Sequence, residues 1–347
     1  MIWQRTARVL AVAGLAGVAV CASQPIAVAR PKPAPEIYAP PPPPPPPGPV
    51  ALPQHTLADA AAFEAYLERV DATSPAFTNG QSVSVALRGA TAYEPHALIR
   101  GAVAYAAVAA LENPTFVAEV RAAGNTPENR RLMVGYLLAD PGYAFLFKGA
   151  DGAAGLAREA LGSGGNKLLA AGRAIKQSAY DIQHQPWSKL EVIDRGGRLK
   201  AVEVESASPM PEAPDHIAAL LSAATGGTPL PITAGPAQPP YTPLVARAVQ
   251  LAAIAALGEV GDADYDRLAS VATDETTATC LHMAKLNLYQ CLAVSKPNYE
   301  DVFCMGQHGM ADTGACLARN AGVSMPAEAP PLFPTVAPTK TRRAAAG

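Results

Sequence analysis

The chain has 347 residues and a formal charge of −2 at pH 7; 35 residues are proline and 16% are charged. That length holds one or two domains with a real core. A mildly acidic balance lacks the electrostatic footprint that nucleic acid demands, so no nucleic-acid partner is expected.

At the N-terminus, Arg5 and Arg8 precede an apolar run from Val9 to Val20, followed by small residues. This is the order of a secretory signal, and the run is shorter than the roughly 20 residues a spanning helix needs. Residues 1–29 are therefore read as a signal peptide ending at Ala27-Val28-Ala29, with Val20-Cys21-Ala22 as a second cleavage site. Cys21 is also a candidate lipidation site, although Val20 stands where lipoprotein signals carry Gly, Ala or Ser. The expected location is exported, periplasmic or cell envelope, with membrane attachment only through a lipid on Cys21. Loss of residues 1–29 removes two arginines and no acid, which takes the formal charge from −2 to −4.

Residues 30–55 follow as a proline spacer that contains the unbroken run Pro40 to Pro47. Proline fixes φ and lacks an amide donor, so this stretch is expected to be polyproline II, with a reach of roughly 25 Å for the run alone. A helical domain is predicted over 56–221. Thr56 opens a segment in which Phe63, Tyr66, Leu67 and Val70 recur at helical spacing. Asn113-Pro114, Thr126-Pro127 and Asp140-Pro141 each put a capping side chain before a proline at the first helical position. Residues 98–111 and 244–257 are apolar nearly all round and alanine-rich, which suits central helices rather than membrane spans. Gly196-Gly197 centres a stretch that reads as a broken helix, with a β-hairpin as the alternative. The Pro- and Gly-rich residues 222–241 read as a linker, 242–322 as a helical module, and 323–347 as a disordered tail.

All four cysteines beyond the signal lie between Cys280 and Cys316, spaced C-x10-C-x12-C-x11-C. In an exported chain such a cluster is first a disulfide framework. Residues 277–294 read as one helix, along which Cys280 and Cys291 are about 16 Å apart, too far to bond. Lys296-Pro297 makes a turn, and Asn298 is expected to cap a second helix. Facing residues of an antiparallel hairpin have a constant sum of residue numbers. Cys291 with Cys304 gives 595 and Cys280 with Cys316 gives 596, whereas the crossed pairing gives 584 and 607. Nested bonds are predicted. The layout resembles the twin-cysteine hairpins of the coiled-coil-helix family, with different spacings and no function carried over. One feature resists: Cys304 and Cys316 are about 120° out of phase on an ideal helix, while Cys280 and Cys291 differ by about 20°. With Gly306, Gly309 and Gly314 in the second helix, distortion or an early end is expected there, and close approach to the first helix is the expected reason for the glycines.

Other chemistry is thin. Tyr180, His184, Trp187 and Ser188 form a candidate ligand surface, or else a helix end with the tryptophan as a core anchor. Cys304, Met305, His308 and Met310, with His282 and Met283 opposite, offer soft ligands for copper. Asp262, Asp264 and Asp266 have calcium-loop spacing but lack the glycine and glutamate that such a loop needs. No redox C-x-x-C, phosphate loop, zinc-protease or serine-elbow motif occurs, and no cofactor or catalytic residue is assigned. Segments 180–199 and 280–317 resemble parts of uncharacterised exported helical bacterial proteins, a resemblance that implies export and shared architecture only. The fold expected is all-α: an irregular helical bundle plus a C-terminal disulfide-clamped antiparallel helical hairpin. The leading functional expectation is a non-enzymatic cell-envelope structural or interaction protein with an envelope protein or glycan as partner. The alternatives are an envelope-acting hydrolase with a site near His184 and Trp187, and a copper-binding protein using Cys304, His308 and Met310.

Overall fold

A computed structural model describes residues 49–330 and 332. The expected signal peptide, Cys21, residues 30–48 of the spacer and the tail from 333 lie outside the described residues. The chain is all-α, and among the described residues the only β feature is an isolated bridge between Glu191 and Pro297. The helices are α1 (Gln54–Asp71), α2 (Gly80–Thr91), α3 (Pro95–Leu111), α4 (Pro114–Ala123), α5 (Pro127–Ala139), α6 (Ala150–Ile182) and α7 (Arg195–Ala207). They continue with α8 (Pro214–Ala224), α9 (Pro243–Leu257), α10 (Tyr265–Val271), α11 (Glu275–Val294), α12 (Asn298–Cys304), a π-helical turn (Met305–Ala311) and α13 (Asp312–Asn320).

Most helices start where a side chain can take the first free amides. Glu94, Asn113, Thr126 and Thr242 accept from backbone N–H groups of α3, α4, α5 and α9, each of which has proline in its first turn. Asp140 instead starts a short 3₁₀ turn, Pro141–Leu146. The expected start of α1 at Thr56 is corrected: the helix begins at Gln54, and Thr56 is buried within it. Pro53 has no capping group of its own, and the amide of Gln54 donates instead to Asp262 Oδ1 at 2.6 Å. Asp262 and Asp264 thus serve helix ends, the latter accepting from Gly261 N and Arg267.

Helices α3 and α9 lie side by side at the centre, and every residue from Ala97 to Leu111 except Arg100 is buried. Alanine supplies much of both helices, so the two can approach closely while each residue still buries a methyl group. The 33-residue α6, about 50 Å long, packs on α1, α3 and α9 and also on α12, the π turn and α13. Residues on both sides of 222–241 belong to one hydrophobic cluster. The expected linker is laid onto the fold: Leu230 N donates to Glu112 Oε1 at 2.6 Å, Ala237 N donates to the Asp151 carbonyl at 2.9 Å, and Tyr241 stacks on Phe145 at 4.1 Å. Its few apolar side chains find places between helices, which composition alone does not reveal.

Residues around Gly196-Gly197 form no β-hairpin. Residues 190–194 are irregular, and α7 then starts with both glycines in its first turn, where Asp194 accepts from Gly197 N at 2.8 Å.

Candidate interaction site at the disulfide hairpin

Helix α11 runs antiparallel to α12–α13, and two nested disulfides join them, Cys280 to Cys316 and Cys291 to Cys304, with Cα–Cα distances of 5.7 and 5.6 Å. The π turn resolves the phase conflict between Cys304 and Cys316. Its i→i+5 bonding absorbs one extra residue, so twelve residues advance the helix like eleven and the mismatch falls from about 120° to about 20°. That equals the offset between Cys280 and Cys291. The second helix is distorted as expected but does not end early. Asn298 is its first residue rather than its cap, and its side-chain amide donates to the Leu190 carbonyl at 2.9 Å.

Gly306 and Gly314 face α6, which corrects for them the expectation that the glycines of this arm let α11 approach. A Cβ on Gly306 would meet Lys176 N at 2.5 Å, and one on Gly314 would meet Gly165 O at 2.4 Å. From the other side, a Cβ on Gly172 would lie 2.3 Å from Ala311 N, and one on Gly165 2.5 Å from Ala318 N. Two backbones are in direct contact across this face, so Gly165, Gly172, Gly306 and Gly314 are required by space. Gly309 has looser surroundings, its nearest atom being Thr91 Cγ2 at 3.4 Å.

The turn of the hairpin is held from outside. Segment 190–193 runs along 296–298 through Val192 N to the Lys296 carbonyl at 2.9 Å and Asn298 N to the Leu190 carbonyl at 3.2 Å. Arg195 donates to the carbonyls of Ser295 and Ala293. The buried Arg198 pairs with Asp301, which also accepts from Ser295 Oγ at 2.7 Å. A second buried polar cluster sits between α2, α7 and α11. Lys285 is 3% exposed, donates to the Thr91 carbonyl at 2.7 Å and to Ser206 Oγ at 3.0 Å, and stands 3.5 Å from the Tyr93 ring centre. Burial holds its ammonium well below lysine's ordinary range, against a small opposing pull from Glu94. A Ser–Lys pair is a known nucleophile–base arrangement, but Ser206 is as buried as its neighbour, and the pair closes the C-terminus of α2.

The candidate ligand surface divides. Ser188 is buried and donates to the carbonyls of Ile182 and Gln185, which finishes the C-terminus of α6. Trp187 packs against the core edge with its indole N–H on Gln185 Oε1, while His184 is exposed. Tyr180 alone of the four lines a cleft of about 400 Å³ beside the Cys291–Cys304 bond, with Val294, Tyr299, Glu300 and Phe303. Tyr180 and Phe303 meet edge to face at 6.2 Å. Next to this cleft, on segments that run side by side, Leu190, Ile193 and Val294 are 64%, 103% and 75% exposed. The residues considered for copper do not converge: Met305 and Met310 are buried, His308 pairs with Asp312 at 2.8 Å, His282 and Met283 are exposed, and Cys304 is oxidised.

The tail expected to be disordered from 323 is instead laid along α6 to Pro330 and again at Leu332. Arg158 donates to the Gly322 carbonyl, Asn166 to that of Ser324 and Arg173 to those of Pro326 and Ala327. Lys176 pairs with Glu328 at 2.6 Å, and the Gln177 side chain exchanges two hydrogen bonds with the Leu332 backbone. A strap with few apolar groups is held because α6 presents a stripe of long donors to its carbonyls.

No protein-family model matches the chain, and no curated protein or solved structure matches it. Among the described residues no helix is long and apolar enough to cross a membrane. The two disulfides are compatible with an exported protein.

Proposed function

We propose that this chain is an exported, non-enzymatic interaction protein of the cell envelope, and that it engages a protein partner at the mouth of its disulfide hairpin. The observation that carries this reading is an apolar, aromatic-lined cleft on a rigid frame, with exposed Val294 on its wall and exposed Leu190 and Ile193 on the segment hydrogen-bonded beside 296–298. Clustered exposed apolar side chains mark interaction surfaces, and the frame loses little entropy on binding because disulfides and a buried ion pair already hold it. The leader-like residues 1–29 support export, and the proline run supports a stand-off from whatever the N-terminal end is attached to.

The test is photocross-linking in the native envelope from a benzophenone residue at Ile193, with the same probe at exposed Leu146, far along the chain, as control. A discrete adduct of defined mass from position 193 and none from 146 is the expected outcome. Equal diffuse labelling from both positions, or none from 193, would overturn the reading.

A further inference from the structure

A second cleft, which shares no lining residue with the one beside the hairpin, is walled by the end of α1, the connection that follows it and α2. Its volume is about 620 Å³. Phe77 is buried on its wall, and Val85, 55% exposed, continues the apolar surface along α2 with Ala86. On that helix the cleft extends from Gln81 to Gly89, about 12 Å. Arg69 stands at the Gly89 end, since a Cβ built on that glycine would have Arg69 Cδ as its nearest atom, at 4.0 Å. Among the described residues no aspartate or glutamate lines the cleft, and Arg69 is its one charged group.

The other half-buried polar side chains of this wall are satisfied locally. Ser82 Oγ donates to the Asn79 carbonyl at 2.7 Å, and Thr73 Oγ1 donates to the Arg69 carbonyl at 3.1 Å. Glu68, next to Arg69 in sequence, lies 3.4 Å from His216 instead. The Arg69 guanidinium makes no hydrogen bond or ion pair with any described residue, its Nε is buried, and its one described contact is with the Tyr66 ring, 5.8 Å from the ring centre. A buried donor without a partner is rare in a native structure and calls for one. We propose that this cleft binds a fatty acid, with the carboxylate on Arg69 and the alkyl chain along Phe77, Val85 and Ala86. The head group fits because a guanidinium presents parallel N–H donors to the two oxygens of a carboxylate. The chain fits because the wall beyond Arg69 is mainly apolar, and the volume is in the range of small-molecule sites, where a few placed polar groups fix the ligand's orientation. This site is independent of the docking surface at the hairpin.

The test is calorimetric titration of the purified full chain with sodium decanoate and, separately, with decanol, which has the same chain and no charge. Decanoate is expected to bind one molecule per chain and at least about tenfold more tightly than decanol. Arg69→Met keeps an aliphatic side chain against Gly89 and breaks no described hydrogen bond of the guanidinium, so the fold is retained. In that variant decanoate affinity should fall about tenfold or more, with decanol binding unchanged. Val85→Glu, made at an exposed position, puts an acid on the wall and should also weaken decanoate. No binding of decanoate by the wild-type chain, equal affinity for decanol, or undiminished decanoate affinity in either variant would overturn the proposal.

Discussion

Two pairs of helices approach closely in this molecule by different means. Helices α3 and α9, both rich in alanine, pack on each other with most of their residues buried, so their side chains add buried apolar surface. Helix α6 meets the π turn and α13 backbone to backbone, where Gly165, Gly172, Gly306 and Gly314 leave no room for a methyl group. The first contact is stabilised by what it buries. The second gives up side-chain burial and is backed instead by the two disulfides that fix the far side of the same arm. Close packing is thus inexpensive where alanine can make it, and needs covalent support where only glycine can.

The largest break in that comparison comes from the disulfides. Replacing Cys280 and Cys316 together by serine should lower stability by about 4 kcal/mol, and the same change at Cys291 and Cys304 by about 3 kcal/mol, since the first bond closes the longer loop. Urea denaturation of the two variants against the wild type measures this, and equal losses would mean that loop closure is not the source of the effect. Next in size is a one-carbon exchange made in both regions. Gly172→Ala should cost about 3 kcal/mol, because the added carbon falls 2.3 Å from a backbone nitrogen. Ala252→Gly in α9 should cost about 1.5 kcal/mol through lost burial and helix propensity. If both variants lose the same amount, the distinction between the two contacts fails.

The smallest effect concerns pH. Lys285 has its proton affinity lowered by burial, so between its folded pKa and the unfolded value of about 10.4 the unfolded chain binds more protons. Stability therefore rises with pH across that window and is lost as pH falls through it. Lys285→Met should flatten this slope, as read from denaturation midpoints between about pH 7 and 9.5. A slope unchanged in the variant would assign the pH response to other groups.

Much of the fold could be read from residues that act on near neighbours. Asn113, Thr126 and the prolines after them define helix starts within three residues, and the cysteine numbers obey a hairpin register because both arms belong to one local unit. The α6 contact obeys the same arithmetic, with Gly165 and Gly314 giving 479 and Gly172 and Gly306 giving 478. That signal was present, but "GSGGNKLL" invites comparison with a phosphate loop, and nothing local says which distant helix its glycines meet. Nothing local marks Lys285 as buried, because its partners Thr91 and Ser206 lie 194 and 79 residues away. The strap was hidden for a similar reason, since its binding groups are the side chains of α6 rather than its own. Of the candidate ligand surface, Tyr180 reached a cleft, while Ser188 proved to be an ordinary helix terminator.

The bond from Gln54 to Asp262 sets an order of events during synthesis. The ribosome releases α1 first, yet the carboxylate that completes its opening turn is made 208 residues later. At elongation rates of about 5–20 residues per second, that interval is on the order of 10 to 40 seconds. Until then α1 has an open N-terminal amide and lacks its α10 neighbour. Its main partner α3 is complete long before then, so the opening turn is among the last parts of α1 to find its partner.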